Sequence, residues 1–265
     1  MSATAAPTTR RARRRRPRSR ATFTSVLGEL LLTAGVVVGL FVVWQMWVGD
    51  IIISAQKNAE GAAISQEWAE LPAPEPPPLI TDGEGDEAVT YYEPPILPHP
   101  DNAEIFARMH IPRFGDDYNQ AIAGGTTRSG TLDHIGIGLY TESKMPGEVG
   151  NFSMAAHRTT WGFPFNKIDK LKLDDAIVVE TPEGWYTYRF RTLEYVKPTE
   201  VDVLLDVPQV PGASDGERYI TLTACSPLYS LAERIVAYGV FDSFQPRAEG
   251  EPDSLAKVAV ASPSW

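Results

Sequence analysis

Between Leu30 and Val48 lie nineteen consecutive residues without a formal charge, LLLTAGVVVGLFVVWQMWV, bracketed by Glu29 and Asp50. A helix of roughly twenty apolar residues is what the hydrocarbon core of a bilayer requires. Trp44 and Trp47 stand near the far end of the run, where amphipathic rings favour the membrane–water interface. Residues 1–20 hold eight arginines and no acid. Cytoplasmic flanks carry such positive excess, so the arm is expected inside and everything after Val48 outside. A cleaved signal peptide would have an apolar region of about 7–15 residues and a small-residue cleavage site; Ile53-Ser54-Ala55 serves that purpose poorly. A buried core helix is the other rival, but the helices of soluble proteins are seldom apolar all round. The expectation is a cytoplasmic arm over 1–25 and an uncleaved single-pass anchor over 26–49, in contact with membrane lipid.

The net charge of −10 conceals a division. Without the arm, sixteen basic residues face 34 acidic ones, a net of −18. An arginine-rich arm alone could bind nucleic acid, but the adjacent span argues against a nucleic-acid partner. No paired CxxC, HExxH, Walker or dinucleotide glycine motif occurs, so neither metal nor cofactor is expected. The single cysteine, Cys225, cannot form an internal disulfide.

Beyond the span, Asp50 to Glu70 reads as a continuing helix. Residues 71–102 combine proline runs with the acidic stretch Asp82-Gly83-Glu84-Gly85-Asp86-Glu87, a composition expected to form a stiff, solvated spacer holding a domain away from the membrane. The domain is expected over 103–243. Phe106 to Ile111 reads as its first strand, and Gln120 to Ala123 as a short second one. In Asn151 to His157, Phe152, Met154 and Ala156 alternate with Ser153, Ala155 and His157. Asp174 to Glu180 and Trp185 to Phe190 read as a hairpin around Pro182-Glu183-Gly184. About eight short strands with little helix suggest an all-β, closed or nearly closed barrel. Residues 244–265 are expected to be a disordered tail.

In Tyr219-Ile220-Thr221-Leu222-Thr223-Ala224-Cys225-Ser226-Pro227, Ile220, Leu222 and Ala224 alternate with Thr221, Thr223 and Cys225. The thiol therefore falls on the polar-patterned face at a strand end, and Pro227 should stop the strand. A second strand over Arg234 to Phe241 would return antiparallel and bring Arg234 toward Cys225. A lone cysteine is usually a small buried hydrophobe, whereas a thiolate beside a cation is a nucleophile. Of four histidines, His99 falls in the spacer, His110 within the first strand and His134 in a glycine-rich loop with no evident partner. His157 ends a strand on its polar-patterned face, where scaffolds present catalytic groups.

Thr221-Leu222-Thr223-Ala224-Cys225, with Arg234 downstream and His157 upstream, resembles the signature of the sortases, cysteine transpeptidases of Gram-positive surfaces. His157-Arg158-Thr159-Thr160-Trp161-Gly162-Phe163-Pro164-Phe165 and Pro146-Gly147-Glu148-Val149-Gly150-Asn151 are similar to the corresponding segments of the actinobacterial class E members. The family's TLxTC has threonine before the cysteine, where this chain has Ala224. The resemblance implies an eight-stranded sortase barrel and attack by Cys225 on the Thr–Gly bond of an LAxTG- or LPxTG-like sorting signal. It implies His157 as acid and base and Arg234 at the oxyanion or substrate carbonyl, with Thr223, Ala224, Thr159, Thr160 and Trp161 near the substrate. Implied partners are secreted proteins with C-terminal sorting signals and an amine acceptor, from a peptidoglycan precursor or a pilin lysine. The protein is expected to act as a monomer. An L,D-transpeptidase would place Ser-His-Gly-Cys-like residues together, and no such run exists. A non-catalytic sortase-like scaffold is the alternative that Ala224 keeps open.

Overall fold

The computed structural model describes residues 22–44, 48–83, 88–214 and 216–255. It divides into two compact units, 1–45 and 46–265. In the first, helix α1 spans Phe23–Val43, and the Thr22 hydroxyl caps it by accepting from the Ser25 amide. With a mean hydropathy of 2.4 and no buried residue, α1 is long and apolar enough to cross a membrane. The arginines before residue 22, and Trp47, lie outside the described residues.

The second unit opens with helix α2, Gly49–Glu70, and a hairpin of β1 (Leu79–Asp82) and β2 (Val89–Tyr92). Eight strands follow: β3 (Ile105–His110), β4 (Asn119–Gly124), β5 (Ile137–Leu139), β6 (Gly150–Ala156), β7 (Ala176–Glu180), β8 (Gly184–Val196), β9 (Arg218–Ser226) and β10 (Glu233–Pro246). They close into a barrel in the order β10-β8-β7-β3-β4-β5-β6-β9. The β4–β5 and β6–β9 pairs are parallel, and the remaining pairs are antiparallel.

The alternation fixes which side chains fill the barrel. Phe152, Met154 and Ala156 of β6, and Ile220, Leu222 and Ala224 of β9, join one core with Met109, Ile177, Tyr186 and Tyr188. Full burial of each large apolar side chain contributes about 1.5–3 kcal/mol. The opposite face of β9 is also buried: Thr221 bonds to Asn151 Oδ1, and the Asn151 amide donates to the carbonyls of Val203 and Leu205. The connection over residues 197–217 thus covers the face that the polar pattern marks as exposed.

Three expectations are corrected. The described residues of 71–102 do not form a free spacer, because they carry the β1–β2 hairpin and then lie on the barrel. Tyr92 and Leu97 pack against the core, and Pro95 O accepts from Tyr186 Oη at 2.6 Å. The glycine-rich loop contains a strand, β5, wedged parallel to β4. Within the expected tail, residues 244–255 are folded. Phe244 is a core residue, and Arg247 pairs with the buried Glu180 carboxylate at 3.0 Å. Residues 256–265 of that tail lie outside the described residues. Helix α2 seats on β4 by way of Gly61, where any Cβ would collide with Arg108 Nη2 and Asn119 O.

Burial alone would raise the Glu180 carboxyl; hydrogen bonds from His110, Ser65 and Arg247 outweigh it and hold the group at about 2. A carboxylate depressed on folding stabilises above its unfolded pKa, and that contribution is lost as pH falls from about 5 toward 2. Arg247→Ala is expected to destabilise the protein by about 3 kcal/mol at neutral pH, the usual cost of breaking a buried ion pair. Urea midpoints across pH should show the gap between wild type and variant narrowing below pH about 5.

Candidate active site

Register sets the site. In the β9–β10 pair, Arg234 lies directly opposite Cys225, so both side chains project from the same face of the sheet. In the parallel β6–β9 pair, Ala155 is level with Thr223; the same offset carried two residues further brings His157 level with Cys225. The three side chains therefore stand at one end of three adjacent strands. They line a cleft of about 570 Å³, together with Thr126, Tyr140 and Arg158.

Cys225 is half-buried and carries a free thiol. His157 is held from behind: its Nε2 donates to Asp133 Oδ1 at 2.7 Å, and both side chains are about 15% exposed (15% and 14%). Arg128 approaches the same carboxylate at 3.5 Å but is 72% exposed, and such a pair is worth little. The imidazole thus has a fixed orientation. Arg234 donates through Nη1 to the carbonyls of Leu231 and Glu233, at 3.2 and 2.9 Å. It ties down the turn that closes the cleft.

A second guanidinium, Arg158, is buried and approaches Ser226 Oγ at 3.4 Å and Asp169 Oδ1 at 3.6 Å. Asp133 and Arg158 did not stand out in the sequence. Asp133 sits in an aperiodic loop 24 residues before His157, and no pattern marks the pairing; Arg158 adjoins His157 but carries no motif of its own.

The flanking candidates separate. Thr159 and Thr160 line the cleft. The Thr223 hydroxyl is engaged with Tyr140 Oη at 2.9 Å and Met154 O at 3.1 Å. Ala224 forms part of the cleft wall and packs into the core. Trp161 is not among the cleft residues; its indole stands edge-on to His134, with ring centroids 6.2 Å apart. His99 is exposed, and His110 is committed to Glu180 at 2.8 Å. Among the described residues no cluster of three or more His, Cys, Asp or Glu could hold a metal ion.

The Sortase domain family matches residues 109–242. The chain belongs to the sortase family. It is 33% identical over 252 residues to Sortase SrtE1 of Streptomyces coelicolor, covering 93% of this chain and 65% of that protein. It is 33% identical over 235 residues to Sortase SrtE2 of the same organism, covering 86% of each. The chain thus spans a little under two thirds of the first relative's length. Among solved structures it resembles the SrtA sortase of Actinomyces oris, with a TM-score of 0.59 and 34% identity over 62% of this chain and 94% of that one. Sortase E1 of Streptomyces coelicolor, solved with a tripeptide in its active site, gives a TM-score of 0.54 and 36% identity over 58% and 97%. These relatives make it a class E-like sortase, and its closed eight-stranded barrel is the family's fold.

If the Asp133 carboxylate fixes the sortase imidazole, Asp133→Ala should remove the downfield Nε2–H proton resonance of His157. Acyl transfer should fall by about tenfold, the worth of one charge-assisted hydrogen bond. Circular dichroism should be unchanged.

Proposed function

We propose that this chain is a membrane-anchored cysteine transpeptidase that acts on the sorting signals of secreted proteins. The observation that supports it is the register: Arg234 faces Cys225 across β9–β10, and His157 ends the neighbouring strand in the same cleft. The signal is of the LAxTG or LPxTG kind, and a groove of about 650 Å³ suits an extended peptide. It runs beneath the 197–217 connection and shares Thr126 and Tyr140 with the cleft.

In this reading the Cys225 thiolate attacks the carbonyl carbon of the signal's threonine, and the oxygen takes the negative charge. Arg234, always charged and rich in donors, meets that oxyanion. To do so it exchanges its carbonyl partners in the β9–β10 turn. As the intermediate collapses, the Thr–Gly C–N bond breaks, and the His157 imidazolium protonates the departing amine. A thioester on Sγ remains. An amine of peptidoglycan or a pilin lysine then attacks it, its proton passes to His157, and the thiolate is expelled. Helix α1 serves as the anchor, with the arginine arm inside and the barrel outside. The protein works as a monomer and needs neither metal nor cofactor.

The test is turnover of LAxTG and LPxTG peptides with an amine acceptor, using the full chain in detergent. Cys225→Ala should form no acyl-enzyme by mass spectrometry, since no other thiol exists. His157→Ala should keep an alkylatable thiol yet fail to release the amine. Arg234→Lys keeps the charge but loses the planar fork, and should cost about 10²–10³ in rate. A folded wild type that never acquires a peptide adduct would leave the scaffold reading standing.

Ala224→Thr restores the family residue. It is expected to fold and to leave activity equal or higher. A large loss would show that the wall between core and cleft has been rebuilt around alanine.

A further inference from the structure

The loop that follows His157 is strained. Trp161, Gly162 and Phe163 all have positive φ, at 58°, 81° and 39°. For a bulky aromatic residue that region is a genuine outlier, and such conformations persist only where the surroundings hold them. Part of the restraint is local: the Phe163 amide bonds Thr160 O, and Tyr118 Oη donates to Pro164 O. The rest comes from α2. Lys57 Nζ donates to Trp161 O at 2.9 Å across 104 residues of sequence, and the Gly162 amide donates to Asp50 Oδ1 at 3.3 Å. A Cβ on Gly162 would stand only 3.0 Å from the Ile53 side chain, so helix and loop are in direct contact.

Lys57 is 8% exposed and forms no ion pair within contact distance among the described residues. Desolvation lowers its pKa, opposed by the charges of Glu60, Asp133 and Asp50. A lysine is almost never fully buried unless it is paired, and the partner of Lys57 is the Trp161 carbonyl. Here the ammonium holds a carbonyl inside the strained turn and lies in the field of Asp133, which orients His157. The Trp161 ring in turn abuts His134, the neighbour of Asp133.

We infer that Lys57 is a positioning residue for the sortase site: from α2 it fixes the loop carrying Thr159 and Thr160 and, through Trp161, the Asp133–His157 pair. The segment between the apolar helix and the barrel is then part of the catalytic apparatus rather than a tether. The inference rests on the transpeptidase reading for its kinetic part only.

The test compares wild type, Lys57→Met, Lys57→Arg and the exposed-face control Glu67→Ala, as full chains in detergent. Hydrogen exchange is read first, because it does not depend on turnover. Lys57→Met should speed exchange at the Gly162 and Phe163 amides by about tenfold, as expected for loss of one charge-assisted hydrogen bond. The core amides of β6 and β9 should not change. Lys57→Arg, which can still donate to Trp161 O, should restore much of the protection, and Glu67→Ala should match wild type. With a sorting peptide, Lys57→Met should raise KM more than it lowers kcat, since it loosens the substrate-facing loop and leaves the thiol in place. Unchanged exchange at the loop in Lys57→Met overturns the inference. So does a loss of protection spread evenly through the barrel, which marks a general stability effect. Faster loop exchange in a chain whose wild type shows no turnover supports the positioning role and counts against the transpeptidase reading alone.

Discussion

The parallel pairing of β6 with β9 is the contact on which the rest of this molecule depends. Parallel neighbours cannot be joined by a tight turn, and here the crossover contains β7, β8 and the 197–217 connection. Closing that pair closes the barrel and packs Phe152 and Met154 beside Ile220 and Leu222 in the core. It also sets His157 beside Cys225, although they are 68 residues apart. The antiparallel return of β10 then adds Arg234. Since a one-residue slip in register turns every side chain to the other face, the burial of the core residues also fixes the direction of the thiol. Packing and chemistry are specified by one set of ladder bonds.

Much of this was legible in the sequence because β9 and β6 alternate cleanly. Ile220, Leu222 and Ala224 do face inward, and Cys225 emerges at the strand end. The hairpin around residues 181–184 could be read from Pro182 and Gly184, and the Arg234 return from the short connection after Pro227. What could not be read depends on contacts distant in sequence. Thr221 and Thr223 look solvated, yet the chain over 197–217 and Tyr140 cover them. Asp133 has no periodicity around it. Phe244 and Arg247 sit in a stretch whose Pro and acidic content suggests disorder, while an apolar core place and the Glu180 carboxylate hold them.

The helix over Asp50 to Glu70 was legible, but its docking on the barrel was not, for a related reason. A helix docked on a domain normally shows an apolar stripe. The face α2 turns to the barrel carries Lys57, Asn58, Gly61 and Ser65, which bond to Trp161 O, the Asn119 amide, and Glu180, with Gly61 admitting Arg108. By pattern alone that face is a solvated one. The seam holds through individual hydrogen bonds, each worth about 1 kcal/mol net, so it is specific in register without being strongly stabilising.

That balance bears on how the seam behaves. Beneath it Arg108 is fully buried. Its Nη2 donates to Asn119 O, while Nε and Nη1 have no protein partner among the described residues. Burial brings its pKa down to about 10 despite the nearby Glu180 charge. Lifting α2 would return this guanidinium to water, so undocking recovers part of the desolvation that lowers its pKa. Polar seams of this kind belong to the low-stability end of a structure, where local opening is least costly. The barrel, closed by ladder bonds and filled by aromatic side chains, belongs to the other end. The strained turn at Trp161–Phe163 lies where the two meet, and its geometry is therefore governed by the weaker of the two.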